Sequence, residues 1–344
     1  MGRKLPEQIF ALAIGVLAAG VAQAAFQLPT LWRDGFRYHW VTPWKNETVQ
    51  RVVRQMIPGT IGVAAFQMNV TLVQGVALFV GVGIVSSYTG AVRLMDLPQG
   101  IFGISLATYL LPTLSGLAAD KNYPEFRTTL RQGMASLIFL NLVASILLVV
   151  LAEPIVRLLF EYGTKFTAVS TGRVSFALMC LAPGLVAFST VNILARAFYA
   201  LGDTKTPMKI SLACLAINFM AACLLIGPLR EGGPGIANTF TSLINVGLLI
   251  FALRKKLGKL EWEPLRATLY PLAFAGLLAG VSAWFGWHAW EQALGHNTIP
   301  LRIGAVFVPA ALAGLVYLLA TLVMKVPAAR EMTAFALARF QRLK

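Results

Sequence analysis

The chain has 344 residues, of which 57% are hydrophobic and 12% are charged, and its formal net charge is +15. Because a soluble domain carries roughly 25% charged residues, this composition and the mean hydropathy of +0.71 exclude a soluble globular enzyme. The basic residues lie between apolar runs rather than on one soluble face, which excludes a nucleic-acid-binding protein. The three cysteines lie inside apolar stretches without C-x-x-C spacing, which argues against a disulfide or a metal role.

Nine apolar segments are long enough to cross a bilayer as helices, since a hydrocarbon core of ~30 Å needs about 20 residues. Lipid offers the backbone no hydrogen-bonding partners, so we predict an all-α fold, a polytopic transmembrane helix bundle of about nine spans. The third and fifth segments are overlong, which predicts tilts, breaks or protruding ends. In chain order the segments are residues 7–31, 58–82, 86–116, 127–152, 168–200, 206–228, 234–254, 265–290 and 299–324.

Two polar segments have amphipathic patterns. Residues 33–57 separate the first two spans, and within them residues 46–56 show the apolar spacing of a helix. Residues 328–344 form a short basic tail with the same character. Both patterns predict helices that lie along the membrane surface.

The basic residues also predict the orientation. Of the 29 lysines and arginines, 21 fall in alternate connections and in the tail, seven fall on the other side, and Arg93 lies within a span. Since basic loops stay in the cytoplasm, we predict a bacterial inner-membrane protein with a cytoplasmic C-terminus and a periplasmic N-terminus. This leaves Arg3 and Lys4 on the periplasmic side without a cleavable signal. We therefore expect a fragment of a longer protein, or a gene model that starts late.

Arg93 and Asp96 are charged residues inside the third span, at an i, i+3 spacing that places both on one helix face. A charge at mid-bilayer costs at least ~2.5 to 3.5 kcal/mol, so it usually faces a cavity. The functional hypothesis is that Arg93 binds an anionic group such as a pyrophosphate, whose oxygens match the guanidinium fork. The alternative is a local salt bridge that only neutralises both groups. Pro98 follows, where we predict a bend, and Gly100 and Gly103 allow close helix approach.

Other chemistry is poorly supported by the sequence. His39, His288 and His296 lack metal-ligand spacing, and Asp96 is the only carboxylate well inside a predicted span. We therefore expect no catalytic residues, no cofactor and no metal site. Small residues spaced by four, Gly276 and Gly280, predict close helix packing.

Three sequence blocks resemble the MurJ (MviN) family of lipid II flippases. The resemblance covers nearly the whole chain, and the blocks occur in the family's order and spacing. They are RLMDLPQGIFGISLATYLLP at 93–112, LAEPIVRLLF at 151–160 followed by Phe166-Thr-Ala, and LARAFYALGDTKTP at 194–207.

The resemblance implies the multidrug/oligosaccharidyl-lipid/polysaccharide exporter fold, in which family members have fourteen spans. Two six-helix lobes flank a cavity, and two further helices line a lipid groove. Matched to that plan, the chain lacks the first five spans. The implied regions are 1–32 as the last helix of the first lobe, 33–57 as a cytoplasmic loop, 58–257 as the second lobe, 258–326 as the two groove helices and 327–344 as a cytoplasmic tail.

The resemblance also implies a substrate site. Arg93 matches the family's second-lobe cavity arginine and Asp96 the acidic position one turn later. Two departures occur, since Val92 stands where many members have an acidic residue and Asn192 where a lysine is common. Some members are thought to bind sodium through second-lobe carboxylates, and this chain is expected to lack those ligands.

The implied function is to carry lipid II, an undecaprenyl-pyrophosphate-linked disaccharide pentapeptide, from the cytoplasmic to the periplasmic leaflet by alternating access. The expected partners are lipid II, membrane lipid and, as candidates, cell-wall synthesis enzymes. The alternatives are a flippase for another undecaprenyl-linked glycan, an exporter of small cations, and a non-transporting membrane scaffold. A membrane-embedded glycosyltransferase is disfavoured, because Asp34, Asp120, Glu125 and Asp203 form no acidic motif.

Overall fold

The computed structural model describes residues 5–35, 37, 46–81, 83–162, 166–258 and 263–330. Helices dominate these described residues, as predicted. In chain order they are α1 (Leu5–Arg33), α2 (Glu47–Val80), α3 (Ile84–Pro98), α4 (Ser105–Ala119), α5 (Tyr123–Val150), α6 (Ala152–Phe160), α7 (Ala168–Leu181), α8 (Leu185–Ala200), α9 (Lys205–Leu229), α10 (Gly233–Leu257), α11 (Glu263–Ala293) and α12 (Ile299–Val323).

The chain divides into two compact units, Met1–Met56 and Ile57–Lys344. The first contains α1, whose described side chains are exposed, and the beginning of α2. Helix α2 starts after Asn46, whose Oδ1 accepts hydrogen bonds from the backbone N–H groups of Thr48 (2.9 Å) and Val49 (3.3 Å). The segment 46–56 is therefore helical, as its spacing predicted. Most of the predicted amphipathic tail, 331–344, lies outside the described residues.

Seven helical segments in the described chain are long and apolar enough to cross a membrane, compared with about nine predicted spans. One of them, Lys205–Leu257, is 53 residues long and contains α9 and α10, which were predicted as two spans. The second predicted span falls in α2, where the described apolar stretch, Gln67–Val80, is too short to count. The helices thus lie where they were predicted, and the difference arises from how two regions are counted.

Both overlong segments are broken, as predicted. The helix from Ile84 to Ala119 contains a π-helical turn at Gln99–Ile104, and the helix from Ala168 to Ala200 contains a 3₁₀ turn at Ala182–Gly184. Pro183 has no N–H group to donate in the second break. Side chains from neighbouring helices donate to carbonyls there: Ser145 Oγ to Ala182 O at 2.8 Å, and Thr239 Oγ1 to Cys180 O at 3.2 Å. Such side chains allow a broken helix to persist in lipid.

The core of the second unit is apolar and lies between helices far apart in sequence. Its largest cluster joins α4, α5, α8 and α10 through residues such as Leu114, Phe126, Leu130, Leu194, Phe198 and Leu253. A second cluster packs α3 against α7 through residues that include Ala91, Met95, Val174 and Leu178.

The last two long helices pack against α5. A Cβ added to Gly276 would lie 2.6 Å from Ile146 Cδ1, and one on Gly280 would lie 3.2 Å from Ile146 Cγ2. The predicted packing role of this glycine pair is therefore confirmed. From α12, Tyr317 Oη donates a buried hydrogen bond of 2.9 Å to Phe139 O. The predicted division into a second lobe and two groove helices stays a prediction.

Candidate functional site

Helix α3 has one packed face and one open face. Its buried residues are Ile84, Ser87, Ala91, Met95 and Pro98, which recur every three or four residues and pack towards α7. Arg93 and Asp96 lie on the other side, and their side chains are 76% and 52% exposed. The structure therefore places both predicted residues on one face, as their spacing required, and leaves that face uncovered by the residues described.

The geometry of the pair is loose. Arg93 Nη1 lies 3.8 Å from Asp96 Oδ2, beyond hydrogen-bond distance. An arginine has five N–H donors in a planar fork, so a single distant carboxylate oxygen leaves the fork free to bind another anion. In contact with lipid tails, this open pair would cost at least ~2.5 kcal/mol for each charge. The arrangement therefore suits a polar cavity with an anionic ligand better than a closed salt bridge.

The helix changes geometry immediately after the pair. Pro98 ends the regular α3 ladder and Gln99–Ile104 adopts π-helical hydrogen bonding. Ser105 Oγ donates to Gly100 O at 3.0 Å across this turn. The change occurs at Pro98, where a bend was predicted. The π-turn itself was missed, although Pro98, Gly100 and Gly103 were its signal, and such turns are frequent at functional sites.

Polar contacts hold the first turns of α3 against the rest of the unit. Arg173 forms an ion pair with the buried Glu231, and its guanidinium packs on Gly83, where an added Cβ would lie 2.8 Å from Nη1. One turn further on, Asn238 Nδ2 donates to Tyr88 Oη at 3.4 Å. Arg173 and Glu231 are far apart in sequence, so nothing in the sequence predicted their pairing.

A second charged region lies at one end of α11 and α12. Arg157 Nη2 lies 2.5 Å from Glu153 Oε1, and Arg157 Nη1 lies 3.3 Å from Glu291 Oε1. Arg302 Nη1 donates to Glu161 O at 3.0 Å, and Thr171 Oγ1 donates to Glu161 Oε2 at 2.8 Å. We call these residues, with His296 beside Glu291, the Arg157 cluster. Among the described residues, neither this cluster nor any other forms a metal-binding group.

An all-helical bundle of long apolar helices, with a charged pair on an open face inside one of them, defines a multi-pass membrane protein. The comparisons with known proteins agree. A family model described as "Lipid II flippase MurJ" matches residues 1–304. The chain belongs to this family, which confirms the resemblance. Because the family is one of transporters, the expectation that the chain is not an enzyme agrees with it.

Individual relatives are 30–34% identical to the chain over the aligned residues. A probable lipid II flippase MurJ of Haemophilus influenzae is 34% identical over 251 residues, which cover 71% of this chain and 49% of the relative. The lipid II flippase MurJ of Burkholderia cenocepacia is 32% identical over 282 residues, covering 80% and 54%. A probable flippase of Vibrio cholerae is 30% identical over 292 residues, covering 82% and 55%. The chain thus spans about half the length of these relatives.

A solved structure shares the fold. It is a lipid II flippase MurJ in an inward closed conformation, superposed with a TM-score of 0.62 at 19% sequence identity. The superposition covers 87% of this chain and 58% of that one. The helical arrangement described above is therefore that of a flippase-type fold.

Proposed function

We propose that the chain acts in the transport of lipid II, carrying it from the cytoplasmic to the periplasmic leaflet of the inner membrane by alternating access. Family membership supports the reaction class. The observation that carries the proposal is the open Arg93–Asp96 pair, a guanidinium inside a membrane helix whose nearest carboxylate oxygen is 3.8 Å away. Its free donors suit a pyrophosphate, which a guanidinium binds through two parallel hydrogen bonds.

In this proposal Arg93 and Asp96 have different tasks. Arg93 attracts the pyrophosphate of the lipid carrier. Asp96, one turn further along the same face, competes for the guanidinium and so helps to release the anion or to orient Arg93. The undecaprenyl chain follows the surface of α11 and α12. Residues 58–257 act as the second lobe of the transporter, the C-terminus is cytoplasmic, and cell-wall synthesis enzymes are candidate partners.

The test is complementation in cells depleted of their own lipid II flippase, with membrane fractionation to confirm insertion. Growth supported by the 344-residue chain would show that these residues suffice for transport, and Arg93→Ala should then abolish that growth. Arg93→Lys should give partial growth, because lysine keeps the charge but loses the bidentate geometry. Arg254→Ala is the matched control, since it removes an exposed positive charge at the end of α10.

Two results would contradict the proposal in different ways. Normal growth with Arg93→Ala would show that this guanidinium does not bind the substrate. Lysis with the unaltered chain, despite correct insertion, would show that these residues do not suffice for transport.

Binding of lipid II to the purified chain, measured against an undecaprenyl-linked glycan that lacks the peptide, separates lipid II from the related substrates. A chain that binds neither would support the scaffold alternative.

A further inference from the structure

The buried residues of the helix from Ile84 to Ala119 form a stripe along one face, and their regular spacing is interrupted by one extra residue at the centre of the helix. On α3 the buried positions end at Met95 and Pro98, and on α4 they are Ala107, Leu110 and Leu114. Between the two halves, the next buried residue after Pro98 is Gly103, five residues further along the chain. A regular α-helix would place it three or four residues later. The π-turn therefore inserts one extra residue between the two stripes.

One extra residue has a large rotational effect. Each residue of a regular α-helix turns the chain by about 100°, so the extra residue would rotate α3 by that angle relative to α4 if the whole helix were regular. The wider π-turn absorbs the extra residue. Without the π-turn, the stripes of α3 and α4 could not face α7 and α8 at the same time. The resulting orientation of α3 determines which way Arg93 and Asp96 point.

The π-turn is fixed to α8 at one point. A Cβ on Gly103 would lie 2.6 Å from Ser189 Oγ and 3.1 Å from Ser189 Cβ, so only glycine fits at this distance. Ser189 is fully buried and its Oγ donates to Asn141 Oδ1 at 3.3 Å. Asn141, also fully buried, donates in turn to Leu137 O at 3.1 Å. Gly103 thus contacts a buried polar pair that joins α8 to α5.

From this geometry we infer that the π-turn and Gly103 position the charged pair: they set the rotation of α3 so that Arg93 and Asp96 lie on its open face. Gly103, Ser189 and Asn141 are positioning residues that act through Arg93. The orientation of α3 follows from the geometry alone, and only its importance for substrate binding rests on the proposed function.

The inference predicts what happens when the extra residue is removed. Ile101 lies within the π-turn and is 55% exposed, so its deletion removes little packing. After the deletion Gly103 follows Pro98 by four positions, which is the spacing of a regular α-helix, so the helix no longer needs the π-turn. Helix α4 buries Leu110 and Leu114 in the largest core cluster and keeps its place. The buried residues of α3 therefore still face α7, and Arg93 and Asp96 stay on the open face.

Cysteine labelling measures the orientation of α3 without any transport. Single cysteines replace Ser86, which is exposed, or Met95, which is 4% exposed, in a background whose Cys180, Cys214 and Cys223 are alanine. In the intact helix N-ethylmaleimide should modify position 86 faster than position 95, on the order of tenfold for an exposed against a buried thiol. Deletion of Ile101 should preserve this ranking, and so should the control Ile101→Ala, which keeps the length.

The outcomes separate this inference from the proposed function. A reversed ranking after deletion would overturn the inference, because it would show that the π-turn does not absorb the extra residue, even if the chain transports lipid II. An unchanged ranking supports it, even if the substrate is a different lipid.

Gly103 gives a second test that keeps the chain length. Gly103→Ala should reduce the difference between positions 86 and 95, because the added methyl group pushes the π-turn away from α8. Adding Ser189→Gly should restore the difference, since it removes the side chain that the methyl group meets and leaves only backbone, 3.6 Å away. A normal labelling difference in Gly103→Ala alone would contradict the anchoring role of Gly103.

Discussion

Two charged regions of this molecule are built on similar sequence patterns and differ in what surrounds them. Arg93 with Asp96 and Arg157 with Glu153 are both arginine–carboxylate pairs one helical turn apart. The first pair is separated by 3.8 Å and the arginine side chain is 76% exposed. The second is separated by 2.5 Å and the arginine side chain is 14% exposed.

The surroundings account for the difference. The Arg157 cluster gathers groups from α6, α7, α11, α12 and the connection between the last two helices, and they contact the guanidinium or its carboxylate partners. An ion pair completed in this way fastens helices together and leaves little capacity for a ligand. The face with Arg93 lacks such a shell in the described part of the chain, so its donors stay available. A membrane-helix charge is therefore a better candidate for binding when the fold leaves it incomplete.

The largest effect on stability is expected at Arg157. Arg157→Gln leaves Glu153 and Glu291 without their shared cation in a mostly buried site, which should lower the free energy of unfolding by about 3 kcal/mol. Denaturant unfolding in mild detergent measures it. The matched variant Arg93→Gln should change stability by less than about 0.5 kcal/mol, as for an exposed pair. Equal losses in both variants would remove the distinction between the two regions.

A smaller effect is expected at Asp203, a completed pair in the connection between α8 and α9. Burial opposes ionisation, but hydrogen bonds from Lys256 and Thr206 outweigh it and lower the pKa of Asp203 from 3.8 to about 2. The carboxylate lies 2.5 Å from Lys256 Nζ and also accepts hydrogen bonds from the first N–H groups of α9. Asp203 therefore has a structural role, as the ion pairs of the Arg157 cluster do.

The lowered pKa determines the pH dependence. Because the folded form holds the proton less tightly, the stabilisation is present above about pH 4 and is lost as the pH falls from about 4 to about 2. At pH 7 Asp203→Asn should be less stable than the unaltered chain by about 2 kcal/mol. Denaturant unfolding in detergent should show a smaller difference in stability between Asp203→Asn and the unaltered chain at pH 3 than at pH 7. A gap that is independent of pH would contradict the assigned charge interaction.

A smaller loss of stability than at Asp203 is expected at Tyr317, a neutral contact between α12 and α5. Tyr317→Phe removes the buried hydrogen bond to Phe139 O and should cost about 1 kcal/mol. The same unfolding assay measures it, and Tyr270→Phe, at a side chain 79% exposed, is the control. If Tyr317→Phe lowered the free energy of unfolding as much as Arg157→Gln, the Arg157 cluster would stabilise the fold no more than one neutral hydrogen bond does.

The sequence by itself determined the class of protein and the location of its helices. Apolar runs of about 20 residues can be stable in lipid only as helices, so composition and run length predicted an all-α membrane protein. The spacing of Arg93 and Asp96 placed both on one face, since helical periodicity is local. Pro98 similarly marked the point where α3 ends. Three sequence blocks were sufficient to predict the family, which the family comparison confirmed.

Only the tertiary structure decided which charges are enclosed. Glu161 and Glu291 contribute to the Arg157 cluster because α6 packs beside α11 and α12, a contact between residues more than 100 positions apart. Likewise, only the tertiary structure shows that Gly103 of the π-turn lies against Ser189 of α8. Local spacing determines the face on which a side chain lies. Whether that face is covered depends on contacts distant in sequence, and no pattern within one helix encodes those contacts.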